Sequence, residues 1–211
     1  RLLTTIAYRI NGKTTYAMEG SIFIAGAGVQ WLRDRMKFFK KASDTEKLVK
    51  SLKDNNNLYL VPAFTGLGAP HWDANARGLL TGITRDTSPK EIVRATIEAV
   101  AYQTYDLFEA MKHDGLRPKI VKVDGGMVMN NWFSQFLSDV VNVGVLRPKV
   151  QETTALGAAF MAGLQIGVYK SLKDISKNWS LDKKFSPKMK NFNRTKLLKG
   201  WSKAIKRTLI N

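Results

Sequence analysis

Short strand-like runs alternate along this chain with longer segments of helical periodicity, and this alternation limits the possible folds more than any other property of the sequence. Apolar runs at 58–61 and 119–123 have the length and composition of buried strands. Between them, apolar residues repeat on one face from Ser88 to His113. That segment begins with Ser-Pro-Lys-Glu, a serine N-cap followed by proline at the first helical position and glutamate at the third, so a long helix is predicted. Strands that alternate with helices predict an α/β domain with a mixed sheet flanked by helices.

The other segments fit the same architecture. The chain opens with a predicted β-hairpin, in which 2–10 and 14–18 are the strands and Asn11-Gly12 supplies the two residues of positive φ that a type I′ turn requires. The segment from Ser43 to Glu46 has the form of a capping box at the start of a short helix. Further strands are predicted at 79–83 and 145–146, and further helices at 21–39, 130–143, 153–166, near 172 and from about 195 to 209. The helix at 153–166 is so rich in alanine and glycine that we expect it to pack closely against a neighbour.

Composition excludes several classes of protein. A chain of 211 residues with 44% hydrophobic residues can fold around its own core, as one large domain or as a domain with an appendage. It contains no cysteine, which excludes disulfides, thiolate zinc sites and cysteine nucleophiles. No apolar run approaches the roughly 20 residues that a membrane-spanning helix needs, and the first residues do not form a signal peptide. Because the chain opens on a strand-like run without an initiator methionine, we expect it to be truncated.

The net charge of +17 is concentrated near the carboxyl terminus, where residues 167–211 carry 13 lysines and arginines against Asp174 and Asp182. A basic tail of this kind can bind nucleic acid or an anionic membrane. It can equally be a solvated surface, and we favour that interpretation because the tail lacks the interleaved aromatic pairs of a single-strand stacking platform. No specific nucleic-acid partner is therefore predicted.

Three glycine-bearing segments are the candidates for a ligand site. The segment from Gly26 to Gln30 places two glycines inside a predicted helix, either because a ligand approaches the backbone there or because two helices touch. Asp124-Gly125-Gly126 ends a strand and leads to Asn130, which is either a nucleotide contact or only the cap of the next helix. The third segment, 154–159, is most simply a packing helix. Spacing alone therefore indicates an α/β domain with a candidate anion or nucleotide site at the carboxyl end of a strand.

No catalytic or metal site is visible in the sequence. His71 and His113 are far apart and have no acidic residue at ligand spacing, so no metal site is predicted. There is no Ser-His-Asp arrangement, no Walker A loop and no Gly-x-Gly-x-x-Gly after a strand. The loop carboxylates nearest to the glycines are those of Asp73, Asp86 and Asp124.

Several motifs, in order along the chain, resemble those of the FGGY carbohydrate kinases. They are PAFTGLGAPHWD at 62–73, GLLTGI at 78–83 followed after seven residues by EIVRATIE at 91–98, VDGG at 123–126 with Asn130-Asn131, and ETTALGAA at 152–159. Within that family, LLTTIA at 2–7 and the segment 25–34 resemble the glycerol kinases. The resemblance covers most of the chain and fades after about residue 171. It implies a ribonuclease-H-like α/β domain of the actin, hexokinase and Hsp70 superfamily.

The resemblance also implies a site and an activity. In the complete kinases two such domains close on ATP and glycerol, and the γ-phosphoryl group passes to a terminal glycerol hydroxyl, with ATP or ADP and Mg²⁺ as cofactors. By match of motif, Gly26 and Gln30 line the nucleotide site, and Gly126 and Asn130 lie on the other side of the adenosine. The family's glycerol-binding residues, catalytic aspartate and Gly-Thr-Gly phosphate loop precede the first residue of this chain. We therefore expect no catalytic residue in this chain and no kinase activity from it alone.

The resemblance divides the chain into an FGGY C-terminal nucleotide-binding domain, residues 1–170, and a basic helical extension packed on it, residues 171–211. It implies a cytoplasmic protein that is a homo-oligomer at full length. Three other interpretations stay open: a kinase of the same family for another polyol or sugar, a nucleotide-binding module without activity, and a binder of nucleic acid or anionic surfaces.

Overall fold

Strands and helices alternate along the computed structural model, which describes residues 2–209, and the predicted α/β class is confirmed. The strands are β1 (Leu3–Ile10), β2 (Lys13–Glu19), β3 (Tyr59–Val61), β4 (Leu79–Thr81), β5 (Ile120–Lys122), β6 (Gly144–Pro148) and β7 (Leu181–Phe185). The helices are α1 (Gly26–Asp34), α2 (Asp44–Lys50), α3 (Pro89–His113), α4 (Asn131–Val141), α5 (Thr153–Gln165), α6 (Leu172–Ser176) and α7 (Asn191–Thr208), and a 3₁₀ turn follows β5 at Gly126–Met129.

Helix α3 is the centre of the fold. It begins with the predicted capping box, in which the hydroxyl of Ser88 accepts from the backbone N–H of Lys90 and the carboxylate of Glu91 accepts from the backbone N–H of Ser88. Every residue from Val93 to Gln103 is buried. Helices α1, α2 and α4 and strand β3 all pack against α3, as expected for a helix that is covered on all sides.

A buried network of charged and polar side chains fixes α3 to the loop before β3. Glu98 is completely buried and accepts hydrogen bonds from Arg94 Nε at 2.8 Å, the Tyr102 hydroxyl at 2.9 Å and Asn55 Nδ2 at 3.1 Å. Arg94 also donates to the backbone carbonyl of Leu52 at 2.8 Å. Burial raises the pKa of the Glu98 carboxyl, and the positive charge of Arg94 opposes that shift. The partners of Glu98 offset the large cost of placing a carboxylate in the core.

The strands form three sheets rather than one. The hairpin β1–β2 is antiparallel, and its turn residues Asn11 and Gly12 both have positive φ, as predicted. Strand β3 pairs antiparallel with β4, whereas β5 runs parallel to β6 and β6 antiparallel to β7, so the third sheet is mixed. Within residues 2–209, β1 pairs only with β2 and β5 only with β6, and each therefore has one free edge. Ile6 on β1 is 61% exposed and Ile120 on β5 is 47% exposed.

Several elements differ from the prediction. Helix α1 is shorter than 21–39, because Ala25 has a non-helical backbone before it and Lys37 a left-handed backbone, φ 57°, after it. The capping box at Ser43 is wrong, since the backbone of Ser43 is helical and its side chain makes no cap hydrogen bond. Strand β7 was not predicted, and α7 begins at Asn191 rather than near residue 195.

Helix α5 lies at the surface. Although it consists largely of alanine, glycine and leucine, Gly163 is the only one of its 13 residues that is buried within the described structure. The close approach expected from its small residues is formed at Gly163, where a β-carbon would lie 2.8 Å from the ring of Tyr169, but not at Gly157, which faces open space.

Helix α7 packs on β3, β4 and α4. The indole of Trp201 is buried, donates from Nε1 to Asp106 Oδ2 of α3 at 2.8 Å, and stacks on the ring of Tyr102 with a centroid distance of 5.3 Å. The segment after residue 170 thus contributes a strand and a core helix to the fold, and the division of the chain at residue 170 stays a prediction. None of the helices within residues 2–209, α3 and α7 included, is both long and apolar enough to cross a membrane.

Candidate functional site

A cavity of about 380 Å³ lies where α1, α2 and the start of α4 surround the middle of α3. All four residues assigned to the nucleotide from the sequence line this one cavity: Gly26, Gln30, Gly126 and Asn130. The other lining residues are Val29, Arg33, Ala42, Ser43, Thr45, Glu46, Ile97, Met127 and Met129. The fold thus brings together two glycine-bearing segments that lie far apart in the sequence.

Helix α1 forms one wall, and its two glycines have different surroundings. A β-carbon on Gly28 would lie 3.0 Å from Cγ2 of Thr96, so this glycine allows α1 to approach α3 closely. A β-carbon on Gly26 would meet no atom within 4 Å, because Gly26 faces open space. The two interpretations of this segment therefore apply to different residues: Gly28 serves helix packing, and Gly26 leaves room at the cavity wall.

The opposite wall is the turn between β5 and α4. Gly125 has φ 82°, and a β-carbon on either Gly125 or Gly126 would meet no atom within 4 Å, so the backbone there is bare. Asn130 follows as the N-cap of α4, where its Oδ1 accepts from the backbone N–H of Phe133 at 3.0 Å. Its Nδ2 donates to the hydroxyl of Thr45 at 3.4 Å. Asn130 is therefore a helix cap whose amide group also borders the cavity.

The third wall comes from α2 and was not predicted to be part of a site. Glu46 Oε2 accepts from the backbone N–H of Asn131 at 3.2 Å, at the start of α4, and its other oxygen pairs with Lys50. Burial would raise the pKa of Glu46, but the hydrogen bonds from Lys50 and Asn131 outweigh burial and leave the pKa below its ordinary value of 4.5. Glu46 thus bridges two helices instead of capping its own.

The sequence pattern at Ser43 was misleading for a specific reason. The Ser-x-x-Glu motif has the spacing of a capping box, but Asp44 Oδ2 instead accepts from the backbone N–H of Lys41 at 2.9 Å and stabilises the preceding turn. The hydroxyl of Thr45 donates to the carbonyl of Ala42 at 2.6 Å. Ser43 is left as a cavity-lining residue. What distinguishes this arrangement from a local cap is the contact between Glu46 and the start of α4. Because α4 is distant in sequence, the local pattern does not show that contact.

The cavity has mostly apolar walls with a few polar groups at its edges. Ile97 of α3 is 1% exposed and lines it with Val29 and the methionines of the 3₁₀ turn. Arg33 lies on the α1 side, where its guanidinium contacts the carboxylate of Asp34 at 2.7 Å and 2.8 Å. A mostly apolar cavity with a few convergent polar groups is typical of sites for small organic molecules.

The side chains of other candidate residues named from the sequence are held by contacts within the protein. His71 Nε2 lies 3.4 Å from Asp106 Oδ2, and Asp73 accepts from the backbone N–H groups of Asn75 and Ala76 within its own loop. The carboxylate of Asp124 contacts the hydroxyl of Thr153, at the start of α5. Among residues 2–209 no group of three or more histidine, aspartate or glutamate side chains is placed to hold a metal ion.

Comparison with known proteins gives a consistent result. Residues 3–166 match the FGGY family of carbohydrate kinases, C-terminal domain. The chain is 55% identical over 207 residues to glycerol kinase 1 of Pseudomonas aeruginosa, an alignment that covers 98% of this chain and 42% of that protein.

Solved structures show the same relationship. The crystal structure of Plasmodium falciparum glycerol kinase with ADP matches at a TM-score of 0.88 and 38% identity, over 100% of this chain and 42% of that one. In fold alone, the xylulose kinase from Rhodospirillum rubrum matches at a TM-score of 0.81 and 21% identity, over 98% of this chain and 42% of that one. The chain therefore spans about two fifths of the length of these relatives. With a family match over most of its length, a relative more than half identical to it and a shared fold, the chain belongs to the FGGY family of carbohydrate kinases, as its C-terminal domain.

Proposed function

We propose that this chain is the nucleotide-binding C-terminal part of a glycerol kinase that, at full length, transfers the γ-phosphoryl group of ATP to glycerol and forms glycerol 3-phosphate. The observation that carries the proposal is that the four residues assigned to the nucleotide, on two distant segments, line one cavity. Glycerol is favoured over another polyol or sugar because the chain is 55% identical to a glycerol kinase and only 21% identical to a xylulose kinase of similar fold.

The cavity fits the adenosine part of the nucleotide. Because no atom lies within 4 Å of the positions that β-carbons on Gly26 and Gly126 would occupy, a planar ring can lie against bare backbone on two sides. Ile97 and Val29 supply apolar surface for that ring. The amide of Asn130, which carries donors as well as an acceptor, can bond to a polar edge of the base or to a ribose hydroxyl.

ATP supplies the phosphoryl group when it is bound, and the residues of this chain hold and orient its adenosine. Gln30 lies one helical turn from Gly26 on the same face of α1, so its amide can border the same ligand. Because Mg²⁺ is usually held by substrate phosphates and one or two carboxylates, and residues 2–209 offer no cluster of three ligands, we assign no Mg²⁺ ligand to this chain.

We further propose that the chain alone does not phosphorylate glycerol. Phosphoryl transfer requires the acceptor, the phosphate and the metal ion to be aligned. The carboxylate that borders the cavity, Glu46, is already bonded to Lys50 and Asn131 and is therefore not placed to act as a base. In a coupled assay the purified chain should show no glycerol-dependent ADP release above the blank, with the Pseudomonas glycerol kinase as a positive control. Turnover that requires glycerol would overturn this proposal.

The nucleotide site is tested by two substitutions of Asn130. Asn130→Ala removes the cap of α4 and the amide donor, whereas Asn130→Asp keeps the cap acceptor, removes the donor and adds a negative charge. We expect MgADP to raise the Tm of the unmodified chain at salt concentrations of both about 50 and about 200 mM, and to raise the Tm of neither variant. Without nucleotide, Asn130→Ala should unfold about 2–4 °C lower, the effect of losing about 1 kcal/mol of capping energy, and Asn130→Asp should not.

Two outcomes would contradict the assignment. One is a nucleotide-induced rise in Tm that disappears at the higher salt concentration, which would indicate a general attraction of phosphates to a basic protein. The other is a rise that both variants retain, which would place the nucleotide elsewhere.

A further inference from the structure

Helix α7 carries charge of one sign only. Its 18 residues include six lysines and arginines and no aspartate or glutamate. Helices α2 and α3 carry both signs, and pair Lys50 with Glu46 and Arg94 with Glu98. None of the ion pairs formed among residues 2–209 involves a residue of α7. Because like charges one turn apart destabilise a helix, an anion bound alongside α7 would stabilise it.

Four of these cations line one groove of about 430 Å³ between α7 and the sheet of β3 and β4. They are Lys196, Lys199, Lys203 and Arg207. At 100° and 1.5 Å per residue, the four positions fall within about 80° of the helix circumference and span about 16 Å of its axis. The remaining lining residues within the described structure are Asn57, Tyr59, Thr81, Gly82, Gly200 and Ala204, none of which has a carboxylate.

The groove is held in shape by contacts on both of its walls. Arg207 Nη1 donates to the hydroxyl of Thr81 at 2.7 Å, which joins the end of α7 to β4. Gly200 lies against the hydroxyl of Tyr59, where any larger residue would overlap it, and Trp201 anchors the middle of the helix through Asp106. The cations are therefore fixed on a docked helix, and binding an anion does not require the helix to be ordered first.

We propose that this groove binds a small molecule with a chain of phosphate groups, such as an oligophosphate. Lysine is a compact, flexible point charge that binds phosphate without a fixed geometry, and three of the four cations are lysines. Cations that follow one another at about 4.5–6 Å along α7 match an extended row of anionic groups rather than one isolated anion. Hydroxyl and amide groups at Thr81 and Asn57 supply further hydrogen-bonding partners for phosphate oxygens.

The groove is less suited to the larger polyanions. Single-stranded nucleic acid is bound through aromatic rings on which bases stack, whereas the aromatic residue of this groove, Tyr59, is 6% exposed and forms part of its floor. A membrane surface is flat and cannot enter a groove between a helix and a sheet. Both the volume and the lining therefore favour a small ligand.

Titration calorimetry of the unmodified 211-residue chain with sodium tripolyphosphate, at a salt concentration of about 50 mM and without Mg²⁺, tests the proposal. Lys203→Gln removes a cation from the groove, and Lys206→Gln is the matched control, because it removes the same charge from an exposed residue of the same helix that does not line the groove. We expect Lys203→Gln to weaken binding about tenfold, the effect of one lost charge-assisted hydrogen bond, and Lys206→Gln to change the Kd less than about twofold.

Two further arms identify the ligand class and separate this site from the nucleotide site. Inorganic orthophosphate should bind much more weakly than tripolyphosphate, and Asn130→Ala should leave tripolyphosphate binding unchanged while Lys203→Gln leaves the MgADP response unchanged.

Three outcomes would contradict the proposal. Equal losses of affinity in Lys203→Gln and Lys206→Gln would show that only net charge matters and would overturn the groove assignment. Tighter binding of a single-stranded oligonucleotide than of tripolyphosphate, with the same sensitivity to Lys203→Gln, would overturn the choice of a small ligand. Loss of tripolyphosphate binding in Asn130→Ala would assign it to the nucleotide cavity instead.

Discussion

Two glycines on α1 show how much a single residue type can differ in role. Gly28 faces Thr96 of α3 and Gly26 faces the cavity, although only one residue separates them. The sequence predicted that this segment serves either packing or a ligand, and neither alternative could be assigned to a residue from spacing alone. The distinction depends on the rotation of α1 about its axis, which is set by contacts with α3 rather than by the local sequence.

A larger side chain at position 26 should fit without disturbing the fold. Because a β-carbon there meets no atom within 4 Å, Gly26→Leu should place its side chain in the cavity and abolish the rise in Tm that MgADP produces, with little change in the Tm of the free chain. Gly157→Leu is the matched control, since Gly157 also lies in a helix, has open space at its β-carbon position and does not line the cavity. An unchanged nucleotide response in Gly26→Leu would mean that the base does not lie against α1.

Glu46 should make stability depend on pH in the acid range. Its pKa in the folded chain lies below 4.5, so its contribution to stability is fully present above the pKa of the unfolded chain and is lost as the pH falls through the folded value. Glu46→Gln should lower the Tm by about 2–4 °C at neutral pH, as expected for about 1 kcal/mol. The difference from the unmodified chain should shrink toward zero in acid, once the pH has fallen below the pKa of the folded chain.

The control for Glu46 is Glu109→Gln, which removes a carboxylate from the surface of α3 that lies 3.6 Å from Lys112. An exposed pair of this kind contributes little to stability, so its removal should change the Tm only slightly at either pH. A Tm difference for Glu46→Gln that is the same at both pH values would show that its carboxylate charge does not bridge α2 and α4.

At the scale of elements, the packing of α7 on β3 depends on the close approach of Gly200 to the side chain of Tyr59. Gly200 lies in the middle of this helix, where glycine costs about 1 kcal/mol relative to alanine, but a methyl group there would overlap the hydroxyl oxygen and ring of Tyr59. Gly200→Ala should therefore lower the free energy of unfolding by about 1–3 kcal/mol in urea denaturation, because overpacking outweighs the gain in helix propensity. Gly157→Ala, with no neighbour in reach, should be neutral or stabilising. Equal effects of the two substitutions would show that α7 does not dock on β3 as described.

The elements that were predicted correctly carry strong local signals, and those that were missed do not. The long helix α3 has a capping box at its start and a continuous apolar face, and the hairpin β1–β2 has an Asn-Gly turn. Strand β7 has the sequence Leu-Asp-Lys-Lys-Phe, in which charged residues hide any alternation and Phe185 is the only buried residue. Its position at the edge of the sheet next to β6 tolerates that polarity, and this partner is too distant in sequence to be inferred from a local pattern.

At the scale of the whole molecule, the sequence predicted four residues of the candidate site but not the full set of elements that surround it. The four residues predicted to contact the nucleotide came from a family resemblance, and the structure places them around one cavity. The wall formed by α2 could not be found, because Glu46 and Thr45 are distant in sequence from Asn130 and Asn131, the residues they contact. The cytoplasmic location and the homo-oligomeric state at full length stay predictions.

The open edges of β1 and β5 have a consequence for the chain in solution. An unpaired strand edge is a template on which another chain can add, and Ile6 and Ile120 give these two edges an apolar surface. The charge of +17 opposes such contact, because copies repel one another as long as little salt is present to screen them. Solubility should therefore fall, rather than rise, as salt is added, and the isolated domain is best kept dilute and at low ionic strength.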